Sequence, residues 1–183
     1  MTRILAYTRT AITLHWLMAL LVFITFPVGL AVHEMILSPG KLRLMSYHKW
    51  LGVTVFVLVM LRLIWRASHK PAPLSGTMPQ WQRMAAHAVH LLLYVLLFAI
   101  PLSGWLMSSA KGFQTVYLGV LPLPDLLAKD KVLGDALGAL HQVLNVTLLL
   151  LVVSHFVAAI KHQFVDRDGT LARMLPFLDR SSS

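Results

Sequence analysis

The chain has 183 residues, of which 57% are hydrophobic and only 13% are charged, and its formal net charge is +9. An ordinary soluble domain has about 25% charged residues, so this composition indicates a membrane protein. Its basic residues flank apolar runs, which favours topology signals over nucleic-acid binding. The sequence has no cysteine, which excludes disulfides, iron–sulfur clusters and thiolate-ligated haem and leaves His and Met as soft ligands.

Four apolar segments follow one another along the chain, and each has about the twenty residues that are needed to cross a bilayer. They predict transmembrane helices over residues 10–32, 45–65, 84–109 and 136–160. The first is long enough to be a full span rather than a cleaved signal peptide. Pro27 and Pro101 fall inside spans, where membrane helices tolerate kinks. We therefore expect an all-α fold, a single four-helix transmembrane bundle over residues 1–183.

The connections between these helices set the expected topology. The first contains the turn signal Ser38-Pro39-Gly40, and the third, residues 110–135, is the longest and has room for a short helix. Ten Lys and Arg residues lie on the side of both termini, and six lie on the other side. The positive-inside rule then predicts that both termini are cytoplasmic.

Two histidines, His141 and His155, lie 14 positions apart in the fourth apolar segment, which has no charged residue between Ala136 and Ile160. Fourteen residues of α-helix return almost to the starting direction and rise by about 21 Å. One helix is therefore expected to present two imidazoles on one face, one near each side of a bilayer core about 30 Å thick.

Depth matching gives each of these histidines a partner on another helix. His15 lies about one and a half turns into the first helix, at the depth of His155, and His48 opens the second helix at the depth of His141. Histidines at two depths about 20 Å apart cannot bind the same zinc ion, and two His without a carboxylate make a poor zinc site. Each pair is instead expected to ligate one haem iron axially, with Met as the alternative ligand. A haem with two His ligands favours outer-sphere electron transfer.

Other polar residues near the ends of the spans have less specific assignments. His87 and His90 share a helix face and are candidates for quinone or haem contact, or for a competing ligand. His162, beside Lys161, is a candidate quinone contact, although a headgroup-facing role fits it equally well. Four basic residues are candidate partners of haem propionates: Arg9, Lys49, Arg62 and Arg66. Two glycines are the predicted points of close haem approach: Gly52 and Gly138.

Taken in order, these residues resemble the bacterial cytochrome b561 family over nearly the whole chain. The residues that carry the resemblance are Tyr7-Thr8-Arg9, His15-Trp16, His48, His87-Ala88-Val89-His90, the spacing of His141 and His155, and Thr170-Leu171-Ala172-Arg173-Met174-Leu175-Pro176. The resemblance implies a bacterial inner-membrane protein that holds two b haems in the lipid bilayer. It also implies that His15 and His155 ligate the inner haem and that His48 and His141 ligate the outer haem.

The resemblance also implies a function. Stand-alone members include a superoxide oxidase, so the first expectation is a superoxide:ubiquinone oxidoreductase that takes electrons from superoxide on the periplasmic side. The fold is similar to the cytochrome b subunits of nickel–iron hydrogenases and formate dehydrogenases, so the alternative is an electron-transfer subunit docked to a larger redox partner protein. A membrane scaffold or transporter with incidental histidines is the third hypothesis. The expected outer side has a net charge of only about +2, which attracts an anion weakly.

Overall fold

The computed structural model describes residues 7–69 and 78–178 and consists mainly of four long helices. These are α1 (Arg9–Glu34), α2 (Pro39–Ser68), α3 (Gln80–Ala110) and α4 (Lys131–Lys161). A π-helical turn (His162–Asp166) continues α4, and two 3₁₀ turns follow at Leu171–Arg173 and Pro176–Leu178. All four helices are long and apolar enough to cross a membrane, which confirms the predicted all-α transmembrane bundle. The second connection falls largely at residues 70–77, outside the described residues.

The helices extend beyond the predicted spans because capping residues begin them earlier. Ser38 is the N-cap of α2: its side chain accepts a hydrogen bond from the Lys41 N–H, and Pro39 occupies the first turn. Asp130 caps α4 in the same way by accepting from the Leu133 N–H. The Ser38-Pro39-Gly40 turn signal is thus a helix start, and Lys131 and Asp135, which the hydropathy pattern places in the third connection, lie in the first turns of α4.

Neighbouring helices pack in chain order, α1 on α2, α2 on α3 and α3 on α4. The buried core is small: Met18 of α1 meets Val55 and Val59 of α2. Most apolar side chains point outward, as Phe23 does at 68% exposure. This distribution fits a bundle surrounded by hydrocarbon, because lipid covers outward apolar side chains and helices then pack on few contacts.

The connection between α3 and α4 contains a small antiparallel hairpin, β1 (Val116–Tyr117) paired with β2 (Leu121–Pro122), rather than a helix. Trp50 of α2 donates its indole N–H to the Val116 carbonyl at 2.7 Å, and the Tyr117 and Thr54 hydroxyls are 3.0 Å apart. The hairpin is therefore fixed to α2. We call this end of the bundle the outer end.

The opposite end, where α1 begins and α4 ends, is called the inner end. Here the C-terminal segment folds back toward α1, because the Trp16 indole N–H donates to the Met174 carbonyl at 3.0 Å. The Trp65 indole of α2 donates to the Thr8 hydroxyl at 3.1 Å. The first residues of α1 and the last turns of the chain are thus joined at one end of the bundle.

Candidate haem-binding site

The structure brings the four principal histidines together in two pairs, one at each end of the bundle. At the outer end the ring centroids of His48 and His141 are 6.3 Å apart, with an interplanar angle of 89°. At the inner end the centroids of His15 and His155 are also 6.3 Å apart, with an angle of 72°. Each pair joins two helices, so the helix packing sets both spacings.

Glycines on neighbouring helices make room for the outer pair. A Cβ atom at Gly29 of α1 would lie 2.7 Å from Cε1 of His48, and one at Gly104 of α3 would lie 3.1 Å from Cε1 of His141. These distances are shorter than ordinary contacts, so both imidazoles lie directly against backbone. The two glycines predicted as points of close haem approach do not contact a histidine ring. Gly52 borders open space, and a Cβ at Gly138 would meet Met107 and Lys111.

His141 also has a hydroxyl partner on α3. Its Nδ1 lies 2.9 Å from the Ser103 Oγ, and that hydroxyl lies 2.8 Å from the Ile100 carbonyl, to which it donates. Ser103 is 4% exposed, so water does not compete for these bonds.

The inner end holds a third imidazole beside its pair. His90 of α3 has its ring centroid 5.3 Å from that of His155, in an edge-on contact. His87, three residues earlier, is exposed. Of the two histidines that open α3, therefore, His90 joins the inner cluster and His87 lies at the bundle surface.

Two arginines of α2 lie around a tyrosine near this cluster. The Arg62 Nε donates to the Tyr94 hydroxyl at 2.9 Å, and the guanidinium carbons of Arg62 and Arg66 lie 5.8 and 5.5 Å from the Tyr94 ring centroid. Arg62 is near enough to His15 to interact with it electrostatically. Within residues 7–69 and 78–178, neither guanidinium has a carboxylate within ion-pair distance.

The other two basic candidates have different surroundings. Arg9 is exposed at the first residue of α1. Lys49 donates to the carbonyls of Phe113 and Gln114 at 2.7 and 3.5 Å, so its ammonium joins α2 to the outer connection. This contact gives Lys49 a structural role that the sequence did not indicate.

His162 begins the π-helical turn at the inner end, seven residues after His155 and therefore on nearly the same helix face. Its Nδ1 lies 3.0 Å from an Asp166 oxygen and 2.9 Å from an Asp168 oxygen. The three side chains could hold a metal ion by distance alone. Lys161 already pairs with Asp166 at 2.6 Å, however, so that carboxylate has a cationic partner without a metal ion.

Comparison with known proteins identifies the family. The family model described as prokaryotic cytochrome b561 matches residues 6–177. The chain belongs to the prokaryotic cytochrome b561 family.

Its relatives include two proteins of Escherichia coli strain K12. Cytochrome b561 homolog 2 is 39% identical over 163 residues, which cover 88% of this chain and 86% of that protein. Cytochrome b561 homolog 1 is 28% identical over 179 residues, 93% of this chain and 97% of that protein. The probable superoxide oxidase CybB of Yersinia pestis is 27% identical over 177 residues, 93% of this chain and 96% of that protein.

This cytochrome is therefore a multi-pass bacterial membrane protein of electron transfer, and its family implies a b-type haem. The residues present fit that group. Two imidazoles that bind one metal ion from opposite sides, through nitrogens about 2 Å from it, have ring centroids about 6 Å apart. Both the inner and the outer pair have a centroid spacing of 6.3 Å. The spacing of His90 from His155, 5.3 Å, is a poorer match.

The charges around the inner pair fit the same cofactor. A haem carries two propionates, and planar guanidinium groups bind carboxylates well. An arginine within a span is costly without an anionic partner, and half-buried Arg62 has none among the described residues. Arg62 and Arg66 would thus hold propionates of a haem at the inner end.

Four residues of the site were not identified from the sequence: Gly29, Gly104, Ser103 and Tyr94. Three of them carry a local signal. Ser103 and Gly104 follow Pro101, the proline inside α3, and supply a hydroxyl and space for an imidazole ring. Tyr94 follows His90 by four positions and so shares its helix face. Gly29 has no sequence signal that distinguishes it from other glycines in apolar helices.

Proposed function

We propose that this cytochrome binds two b haems, the inner one through His15 and His155 and the outer one through His48 and His141. We propose further that it transfers electrons from superoxide at the periplasmic, outer end to ubiquinone at the cytoplasmic, inner end. The observation that supports the proposal is the repeated spacing of 6.3 Å between the rings of a histidine pair at each end of the bundle. Two equivalent pairs favour two redox centres across one membrane.

When bound, such haems supply reversible one-electron transfer, and two His ligands leave no open coordination position for oxygen. The chain's own residues would hold such a group: the four histidines would provide nitrogens, and Arg62 would neutralise propionates. Gly29 and Gly104 let two of the rings lie against backbone. The apolar side chains of the bundle exclude water from the centres.

The inner end is suited to a quinone. His162 lies on the face of α4 that carries His155, and its Nδ1 lies 3.0 and 2.9 Å from carboxylate oxygens of Asp166 and Asp168. Reduction of a quinone to a quinol takes up two protons, and an imidazole is a natural proton carrier. His90, beside the inner pair, is a second candidate for contact with the quinone.

The donor at the outer end is assigned to superoxide because a relative is named a probable superoxide oxidase, at 27% identity. The charge of the outer end supports this choice only modestly. Of its lysines, Lys111 and Lys131 both pair with Asp135, at 3.3 and 2.8 Å.

The alternative, an electron-transfer subunit of a larger dehydrogenase or hydrogenase, has one observation in its favour. The tip of the outer hairpin exposes apolar side chains, with Leu118 at 56% and Val120 at 80% exposure. Such a tip is suited to contact with a protein partner. A complex that survives mild purification would favour this function over the stand-alone enzyme.

The decisive experiment is a reduced-minus-oxidised spectrum with haem quantitation. We expect two b haems per wild-type chain, loss or perturbation of the outer haem in His141→Ala, and of the inner haem in His155→Ala. His69→Ala is the matched control, because this exposed ring stacks on Trp65 outside both clusters. Unchanged spectra in both test variants would refute the ligand assignment, and a colourless protein expressed with adequate haem would favour a scaffold or transporter. Reduction of ubiquinone by superoxide with the isolated protein tests the enzyme function.

A further inference from the structure

Ser103 stands out among the buried polar residues because its hydroxyl connects α3 to a proposed haem ligand on α4. The Oγ lies 2.8 Å from the Ile100 carbonyl and 2.9 Å from Nδ1 of His141. A hydroxyl has one hydrogen, and a carbonyl can only accept. The hydroxyl hydrogen of Ser103 is therefore directed to the Ile100 carbonyl, and a lone pair of the Ser103 oxygen faces the imidazole of His141.

This arrangement fixes the position of the proton on His141. Since Ser103 accepts, Nδ1 must carry the hydrogen and donate it. Nε2 is then left with a free lone pair, which is the form of imidazole that binds a metal.

The sequence around Ser103 explains why the hydroxyl can take this position. Pro101 lies inside α3 and lacks an N–H, so the regular hydrogen bonding of the helix is interrupted just before Ser103. Inside a helix, a serine hydroxyl can donate back to a carbonyl three or four residues earlier, as Ser103 does to Ile100. Gly104, the next residue, has no side chain where the His141 ring lies, 3.1 Å from the position of a Cβ. The segment Pro101-Leu102-Ser103-Gly104 thus supplies both a hydrogen-bond acceptor for His141 and the space in which its ring lies.

We propose that Ser103 is a positioning residue for the outer redox centre, which holds His141 in the Nδ1–H tautomer and lowers the midpoint potential of that centre. An imidazole that donates from its far nitrogen becomes more basic at the nitrogen that binds the metal. A more basic ligand stabilises the oxidised metal more than the reduced metal, so the potential falls. The proposal rests on the proposed function, in which His141 ligates the outer haem.

The test is a spectroelectrochemical titration of the full chain, purified with its haems, for the wild type and three variants. Ser103→Ala should retain two haems and shift the outer midpoint potential to a more positive value, with altered low-temperature EPR of the oxidised outer haem. Ser103→Thr keeps the hydroxyl and should restore both properties. Thr147→Ala removes an exposed hydroxyl of α4 that donates to the Val143 carbonyl of its own helix, and it should change neither property.

In the titration, the midpoint potential of the outer haem is identified as the one that is lost in His141→Ala. An unchanged or more negative outer potential in Ser103→Ala, with both haems bound, would overturn the proposal. Loss of the outer haem in Ser103→Ala, with retention in Ser103→Thr, would support it because the hydroxyl would then be required to hold the ligand. Retention of both haems by His141→Ala would instead refute the ligand assignment, so failure of the two proposals can be distinguished.

Discussion

Replacing Gly29 by alanine tests whether the contact between α1 and His48 is needed for cofactor binding. The added methyl carbon would lie 2.7 Å from Cε1 and 3.1 Å from Nδ1 of His48, and ordinary contact begins at 3.4 Å. The ring must therefore move. Overpacking of this kind costs about 1–3 kcal/mol, whereas alanine inside a helix stabilises it by about 0.5–1 kcal/mol relative to glycine. We expect an intact helix and weaker binding of the outer haem, by about 5- to 150-fold if the whole cost falls on the ligand.

Haem per polypeptide and the reduced-minus-oxidised spectrum measure this effect. Two further substitutions give a graded series: a Cβ at Gly104 would lie 3.1 Å from His141, and one at Gly40 would lie 3.7 Å from Met35, outside the site. The expected loss of outer haem is greatest for Gly29→Ala, smaller for Gly104→Ala and absent for Gly40→Ala. A wild-type haem content and spectrum in Gly29→Ala would refute the reasoning, as would an equal loss in Gly40→Ala.

Three further predictions concern other contacts. Arg62→Gln removes a cation beside the inner pair and should shift the inner midpoint potential to a more negative value in a redox titration; a positive shift would contradict this. Trp16→Phe removes the hydrogen bond to the Met174 carbonyl and should lower the free energy of unfolding by about 1 kcal/mol, measured by denaturation in detergent, and unaltered stability would count against that bond. Lys49→Gln should increase hydrogen exchange in residues 111–130, because its ammonium joins that connection to α2, and equal exchange would mean that the hairpin contacts suffice.

The helices could be predicted from the sequence, but their ends could not be predicted as closely. Long apolar runs identify four spans because the bilayer imposes a minimum length. Ser38 and Asp130 begin α2 and α4 earlier than the apolar runs suggest, since helix starts depend on capping side chains as well as on hydropathy. The hairpin between α3 and α4 was also not predicted, because its stability comes from contacts with Trp50 and Thr54 on another helix.

The histidine pairs could be predicted because depth in a membrane follows from position along a span. The rest of the site depends on how each helix is rotated about its axis. Lipid-facing and core-facing surfaces are both apolar in a membrane bundle, so hydropathy does not indicate which face turns inward. Gly29 and Gly52 look alike in the sequence, yet only Gly29 lies against a histidine ring, while a Cβ at Gly52 would contact nothing within 4 Å.

The surroundings of the two histidine pairs differ in a way that bears on the direction of electron flow. At the inner end Arg62 interacts electrostatically with both His15 and His155, and a nearby cation favours the reduced, less positive state of a metal centre. At the outer end the proposed hydrogen bond from His141 to Ser103 would favour the oxidised state. Both effects would make the proposed inner centre the stronger electron acceptor. Electrons that enter at the outer end would therefore move toward the inner end, where the proposed quinone contact His162 lies two helical turns beyond His155.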